Sequence, residues 1–219
     1  MTSPASSPSN STGLVVGLTG GIGSGKTLVS TRLQALGAAI VDTDVIAHSL
    51  TAPKGAAMAA IAEQFGAEFM TSAGALDRAR MRALVFATPA AKHRLEAILH
   101  PLIRVATGAE ARRAAARAPY VVLVIPLLVE AGNWKTGIDR VLLVDCSVDT
   151  QIERVQKRSK LDRAAVRAIV AQQATRQERL DVADDVVVNQ AEPQSLADRL
   201  SRLHGLYSRL AATRGPRSV

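Results

Sequence analysis

The sequence predicts an α/β fold: a five-stranded parallel sheet with helices on both faces. Three observations carry that expectation. Short apolar runs recur along the chain, segments with helical spacing separate them, and two longer helical inserts interrupt the alternation. The first run, LVVGLT (Leu14 to Thr19), is short, β-branched and apolar on both faces, as a central parallel strand should be. A glycine-rich stretch follows, then KTLVSTRLQALG, whose spacing is helical and which stops at Gly37. AAIVDTD (Ala38 to Asp44) gives the second strand, with Asp42 and Asp44 at its end and Thr43 facing the opposite way. Tyr120 to Ile125, Arg140 to Cys146 and Asp185 to Asn189 read as the third, fourth and fifth strands, and a last helix is expected from Pro193 to Thr213.

The inserts have different characters. Residues 51–117 are Ala-rich with apolar spacing of three and four, which predicts several helices. Phe65-Gly66 and Ala73-Gly74 read as turns, Pro89 as a helix start, and Pro101 as a point where a helix is interrupted or opened. Residues 150–180 form a basic helical stretch. The core is expected to comprise 13–50, 118–149 and 181–213. Met1 to Thr12, MTSPASSPSNST, is Ser/Pro-biased and reads as a disordered tail outside the fold, with neither the basic nor the apolar region of a secretory signal.

Composition narrows the function. With 219 residues, 47% hydrophobic and 21% charged, the chain resembles a soluble globular enzyme, and no apolar run approaches the roughly 18 residues needed to cross a bilayer. The single cysteine, Cys146, ends an apolar run and reads as a buried structural thiol, in keeping with a reducing cytoplasm. Net charge is +8, and Gln151 to Val219 carries thirteen basic against eight acidic residues, so five of the eight excess charges lie there. Such a balance suits a phosphorylated small molecule or nucleic acid, and a solvated basic surface would also produce it.

Gly20-Gly21-Ile22-Gly23-Ser24-Gly25-Lys26-Thr27 matches G-x-x-x-x-G-K-[ST] between a strand and a helix, the context that a P-loop requires. Glycines such as Gly21, Gly23 and Gly25, with Ser24 among them, let backbone N–H groups turn inward as an anion-binding nest. The helix N-terminus adds unsatisfied donors and partial positive charge. Lys26 is then expected at the β- and γ-phosphates, the Thr27 hydroxyl on Mg²⁺, and the amides of Thr27 and Leu28 at the α- and β-phosphates. A dinucleotide fingerprint fails on the last glycine spacing, so the expected ligand is a nucleoside triphosphate.

A phosphate cradle does not name the reaction. The apolar strand that usually ends in a metal-binding acid here ends in Pro126, so that role passes to Asp42 and Asp44. One could accept a proton from an acceptor hydroxyl while the other positions metal or substrate; two solvated turn aspartates are the alternative. Arg154 and Arg158 share a helix face, Arg163 follows, and Arg176 and Arg179 form a second pair, as expected of a lid delivering cations to a transferring phosphoryl group.

With these residues assembled, the sequence resembles the dephospho-coenzyme A kinase family over Leu14 to Tyr207. The resemblance rests on GLTGGIGSGKT, VDTDVIAH, LHPLI, PLLVE and QQATRQERLDVADDVVVN. It implies ATP-dependent phosphorylation of the ribose 3′-hydroxyl of dephospho-coenzyme A. It implies a P-loop NTPase core with a helical acceptor-binding insertion at 51–117 and a helical lid at 150–180. Asp44 corresponds to the catalytic base beside Asp42, with Lys26 and Arg154 also catalytic. Arg154, Arg158 and Arg176 correspond to lid arginines facing the nucleotide, and Asn189 to the adenine side. His100, which the bare sequence leaves as a helix-cap histidine, corresponds to the acceptor side, as does Pro126, with Glu130 in the same strand-end element. Two positions depart from the family pattern: Thr27-Leu28 stands for Ser-Thr, and Asn189-Gln190-Ala191 for Asn-Asn-Gly. The implied partner is the small-molecule acceptor, with neither nucleic acid nor membrane, in a chain expected to be monomeric with an oligomer left open. A nucleoside or nucleotide kinase of the same fold and a nucleic-acid-binding P-loop NTPase are the other readings. Aromatic residues at 3% offer few stacking platforms for the last.

Overall fold

The structure is a computed structural model and describes residues 13–132, 137–190 and 193–214. The N-terminal tail and Ala191 lie outside the described residues. The elements run β1 (Leu14–Thr19), α1 (Lys26–Ala35), β2 (Ala39–Asp42), α2 (Thr43–Leu50), α3 (Met58–Phe65), a 3₁₀ turn at Ala67–Phe69, α4 (Arg78–Ala87) and α5 (Pro89–Ala115). They continue with β3 (Tyr120–Val124), β4 (Arg140–Asp145), α6 (Val148–Ser159), α7 (Arg163–Ala171), α8 (Arg176–Val182), β5 (Asp185–Val188) and α9 (Pro193–Ala212). The expected five-stranded sheet is present, ordered β2-β3-β1-β4-β5. β1 lies at its centre, paired in parallel with β3 (Val16 opposite Val122) and with β4 (Leu18 opposite Leu142).

Two compact units make up the chain, 1–41 with 111–219, and 42–110. In the first, β1, β3 and β4 are almost wholly buried, which is why their sequences are apolar at successive positions. Leu14, Val16 and Leu18 of β1 join Val29 and Leu33 of α1 and Leu200 and Tyr207 of α9 in one core. The second unit has its own core around Met58, Ile61, Phe65, Met81 and Ala91.

Two sequence expectations are corrected. Asp42 and Asp44 do not alternate along one strand. β2 stops at Asp42, whose Oδ1 accepts the Asp44 N–H at 2.8 Å, so Asp42 caps α2 and Asp44 lies in that helix's first turn. Aspartate is a strong N-cap because its oxygen satisfies an otherwise unpaired amide, and that preference ended the strand. Pro101 neither interrupts nor opens a helix, since α5 runs through it. Proline there removes the hydrogen bond its N–H would have given the Ala97 carbonyl. Leu95, Ile98, Leu99 and Leu102 pack against the second core and carry the helix past it. His100 is therefore an exposed mid-helix residue rather than a cap.

A polar network closes the far side of the first core. Tyr207 donates its hydroxyl to Asp185 Oδ2 at 2.9 Å, and Arg140 donates Nε and Nη2 to the same carboxylate at 2.9 and 3.2 Å. Burial pushes the Tyr207 hydroxyl well above its ordinary pKa, and the adjacent carboxylate adds to the shift. Asp185→Ala is expected to destabilise the fold by about 1–3 kcal/mol, because a buried phenol and a guanidinium lose their shared acceptor. A urea-unfolding midpoint lowered with unchanged slope would measure it; an unmoved midpoint would mean that water replaces the carboxylate.

Candidate active site

The glycine loop is a short path between β1 and α1 that keeps its backbone polar groups ordered. Ser24 donates its N–H to the Gly21 carbonyl at 3.2 Å, closing a tight turn. Gly25 caps α1 in the left-handed region (φ 99°, ψ 28°), with no side-chain hydrogen bond to the helix's first amides. Glycine is needed there on two counts. The dihedral disfavours any Cβ, and a Cβ at that place would collide with Asn189 Nδ2. Gly23 also has positive φ (73°), so successive N–H groups converge as in an anion nest.

Several predicted residues meet at this loop. Lys26 folds back so that Nζ donates to the carbonyls of Gly20 at 2.6 Å and Gly21 at 3.1 Å. Arg154 reaches from α6 and donates Nη1 to the Ser24 carbonyl at 3.3 Å and Nη2 to the Asn189 carbonyl at 2.9 Å. Asn189, buried at the end of β5, donates Nδ2 to the same Ser24 carbonyl at 2.7 Å. Loop, α6 and strand end are thus bound into one polar cluster. Thr27 and Leu28 are exposed in the first turn of α1.

Other predicted residues go elsewhere. Arg176 donates Nε and Nη2 to the buried carboxylate of Asp145, at 2.7 Å for the shorter contact, and that bond raises the guanidinium pKa further. Arg158 is exposed on α6, where its nearest recorded partner is the Ser159 hydroxyl at 3.4 Å. Pro126 is half-buried just after β3, and Glu130 accepts the Ala174 N–H at 2.8 Å. Asp42, Asp44 and His100 belong to the second unit, where Asp44 and His100 are exposed. Cys146 is buried as expected, and desolvation pushes its thiol pKa up, away from nucleophilic use.

Three side chains at the loop escaped the predicted site set. Gln173, between α7 and α8, accepts the Ile22 N–H on Oε1 at 2.9 Å. Gln151 and Arg179 are buried beside Gly21. Arg179 had a signal as the second member of the Arg176 pair, and Gln151 had one as a polar residue among the buried positions Ile152 and Val155 of α6.

A central strand, a glycine nest with its lysine, and a following helix on a five-stranded parallel sheet define a P-loop protein. A family model described as dephospho-CoA kinase matches residues 14–195. The dephospho-CoA kinase of Burkholderia pseudomallei is 59% identical over 198 residues, covering 90% of this chain and 97% of the relative. That of Aromatoleum aromaticum is 51% identical over 205 residues, covering 94% and 98%. The chain belongs to the dephospho-CoA kinase family and is an enzyme. Among solved structures, TT1252 from Thermus thermophilus has 31% identity and a TM-score of 0.77, covering 93% of this chain and 99% of that one. Dephospho-CoA kinase from Campylobacter jejuni, at 20% identity and TM-score 0.63, covers 91% and 100% and shares the fold.

Proposed function

We propose that the chain transfers the terminal phosphoryl group of ATP to the ribose 3′-hydroxyl of dephospho-coenzyme A, the last step in making coenzyme A. The observation that carries the assignment of roles is the Gly20–Thr27 loop, with its positive-φ glycines and the Lys26 ammonium folded over it. Amides of the loop and of the α1 N-terminus hold the phosphates, and Lys26 neutralises charge on the transferring group. Arg154 and Asn189 hold the Ser24 peptide in place, Arg154 as a second cation at the nest beside Lys26 and Asn189 toward the adenine. Arg158 and Arg176 are lid arginines of 150–180 that meet the nucleotide when it binds.

Asp44 is the base that accepts the proton of the incoming hydroxyl, and Asp42 orients it through the cap that fixes the first turn of α2. His100 and Pro126 belong to the acceptor side, with the helical insertion 51–117 as the acceptor-binding part. Mg²⁺ is usually held by one or two protein oxygens plus the substrate phosphates, and the exposed Thr27 in the first turn of α1 offers such an oxygen. The ion would neutralise phosphate charge there. A cytoplasmic monomer fits this role. No helix of the described residues is long and apolar enough to cross a membrane.

The test is mass-spectrometric detection of coenzyme A formed from its 3′-dephospho precursor and ATP by purified protein, with adenosine, AMP and single-stranded DNA in parallel. Product from the precursor alone is the expected result. Phosphorylation of adenosine or AMP at a comparable rate would reassign the acceptor.

A further inference from the structure

A buried cation without a matching anion stands beside the phosphate loop. Arg179, on α8, is only 7% exposed. Its Nη1 donates to the Ala174 carbonyl, and among the described residues it takes part in no ion pair. The neighbouring carboxylate that feels its charge, Glu178, is exposed and accepts from Thr175 instead. A buried charge is expensive unless it is paired, so this guanidinium calls for an anion in direct contact, which Glu178 does not provide. Arg176, three residues earlier, is its opposite: largely exposed and already neutralised by Asp145.

The position of Arg179 says where the anion belongs. A Cβ built on Gly21 would lie 3.2 Å from Arg179 Nη2 and 2.8 Å from Gln151 Nε2. Glycine at this place lets the guanidinium approach the loop backbone directly. That approach is fixed at both ends. Gln173 holds the loop through Ile22, and Thr175 with Glu178 forms a capping box that sets the first turn of α8.

We propose that Arg179 is a phosphate-binding residue of this enzyme, and that oxygens of the bound triphosphate supply its missing counter-charge. Gln173 is the positioning residue that keeps α8 in register with the loop. The proposal rests on the assignment of Gly20–Thr27 as the phosphate cradle and adds a cation to it.

The experiment compares Arg179→Met, Arg179→Lys and Lys26→Ala by calorimetric titration with ATP and with adenosine, alongside melting of the ligand-free proteins. Methionine keeps apolar bulk and removes the unpaired charge. The ligand-free Arg179→Met protein is therefore expected to melt no lower than the parent while binding ATP about tenfold more weakly or worse, with adenosine binding unchanged. A lower melting temperature with ATP affinity intact would make Arg179 a structural strut and overturn the proposal. Should the methionine variant not fold, Arg179→Lys decides: weaker ATP binding with unchanged adenosine binding supports the assignment, and parental ATP affinity ends it. Weakened ATP binding in Lys26→Ala with none in either Arg179 variant rejects Arg179 alone. Normal ATP binding by all three removes the cradle assignment as well.

Discussion

Replacing Lys26 by alanine is expected to lower phosphoryl transfer by roughly a hundredfold or more, the range seen when one donor to a developing charge is removed from a preorganised site. A hundredfold loss corresponds to about 2.7 kcal/mol of transition-state stabilisation. The fold should survive. The Lys26 side chain is only half-buried and belongs to neither apolar core. Steady-state rates with ATP and dephospho-coenzyme A, paired with a thermal melt, separate the two effects. Parental turnover in a folded variant would contradict the role given to the ammonium group.

Asp44→Asn should reduce turnover at saturating substrate by about a hundredfold or more, the usual contribution of a positioned base. ATP affinity should move little. The substitution is gentle on structure because the bond that caps α2 runs from the Asp44 backbone N–H to Asp42, leaving the side chain uninvolved in it. Loss of a negative charge from an exposed first turn is worth about 0.3–1 kcal/mol of helix stability. A collapse of ATP binding with turnover preserved at saturation would instead mark Asp44 as a residue of the metal and nucleotide site.

Much of the architecture was legible because burial leaves a simple trace. β1, β3 and β4 are covered on both faces, so LVVGLT, YVVLV and RVLLVD are close to uninterrupted apolar runs, and the strands were located to within a residue or so. The loop was legible because its glycines and lysine are contiguous. The two misplaced features shared one cause, a local preference set against packing. At Asp42 the cap ended the strand sooner than alternation suggested, and at Pro101 an apolar helix face outweighed a missing hydrogen bond. The long basic stretch proved to be three helices, each started by a cap at Ser147, Asp162 or Thr175. The contacts of Gln173 and Arg179 with the loop were invisible in the sequence. Each joins residues about 150 positions apart, and no spacing rule connects a glutamine near one end of a chain to a backbone amide near the other.

Among the described residues, each of the two units has a buried core of its own. Natural variation can therefore act on the two bodies as separate targets. Under the proposed division of roles, substitutions around Met58, Ile61 and Phe65 would retune which alcohol is accepted, while the grip on the triphosphate stayed as it was. A lineage could thus trade one acceptor for another by remodelling a single interchangeable cassette.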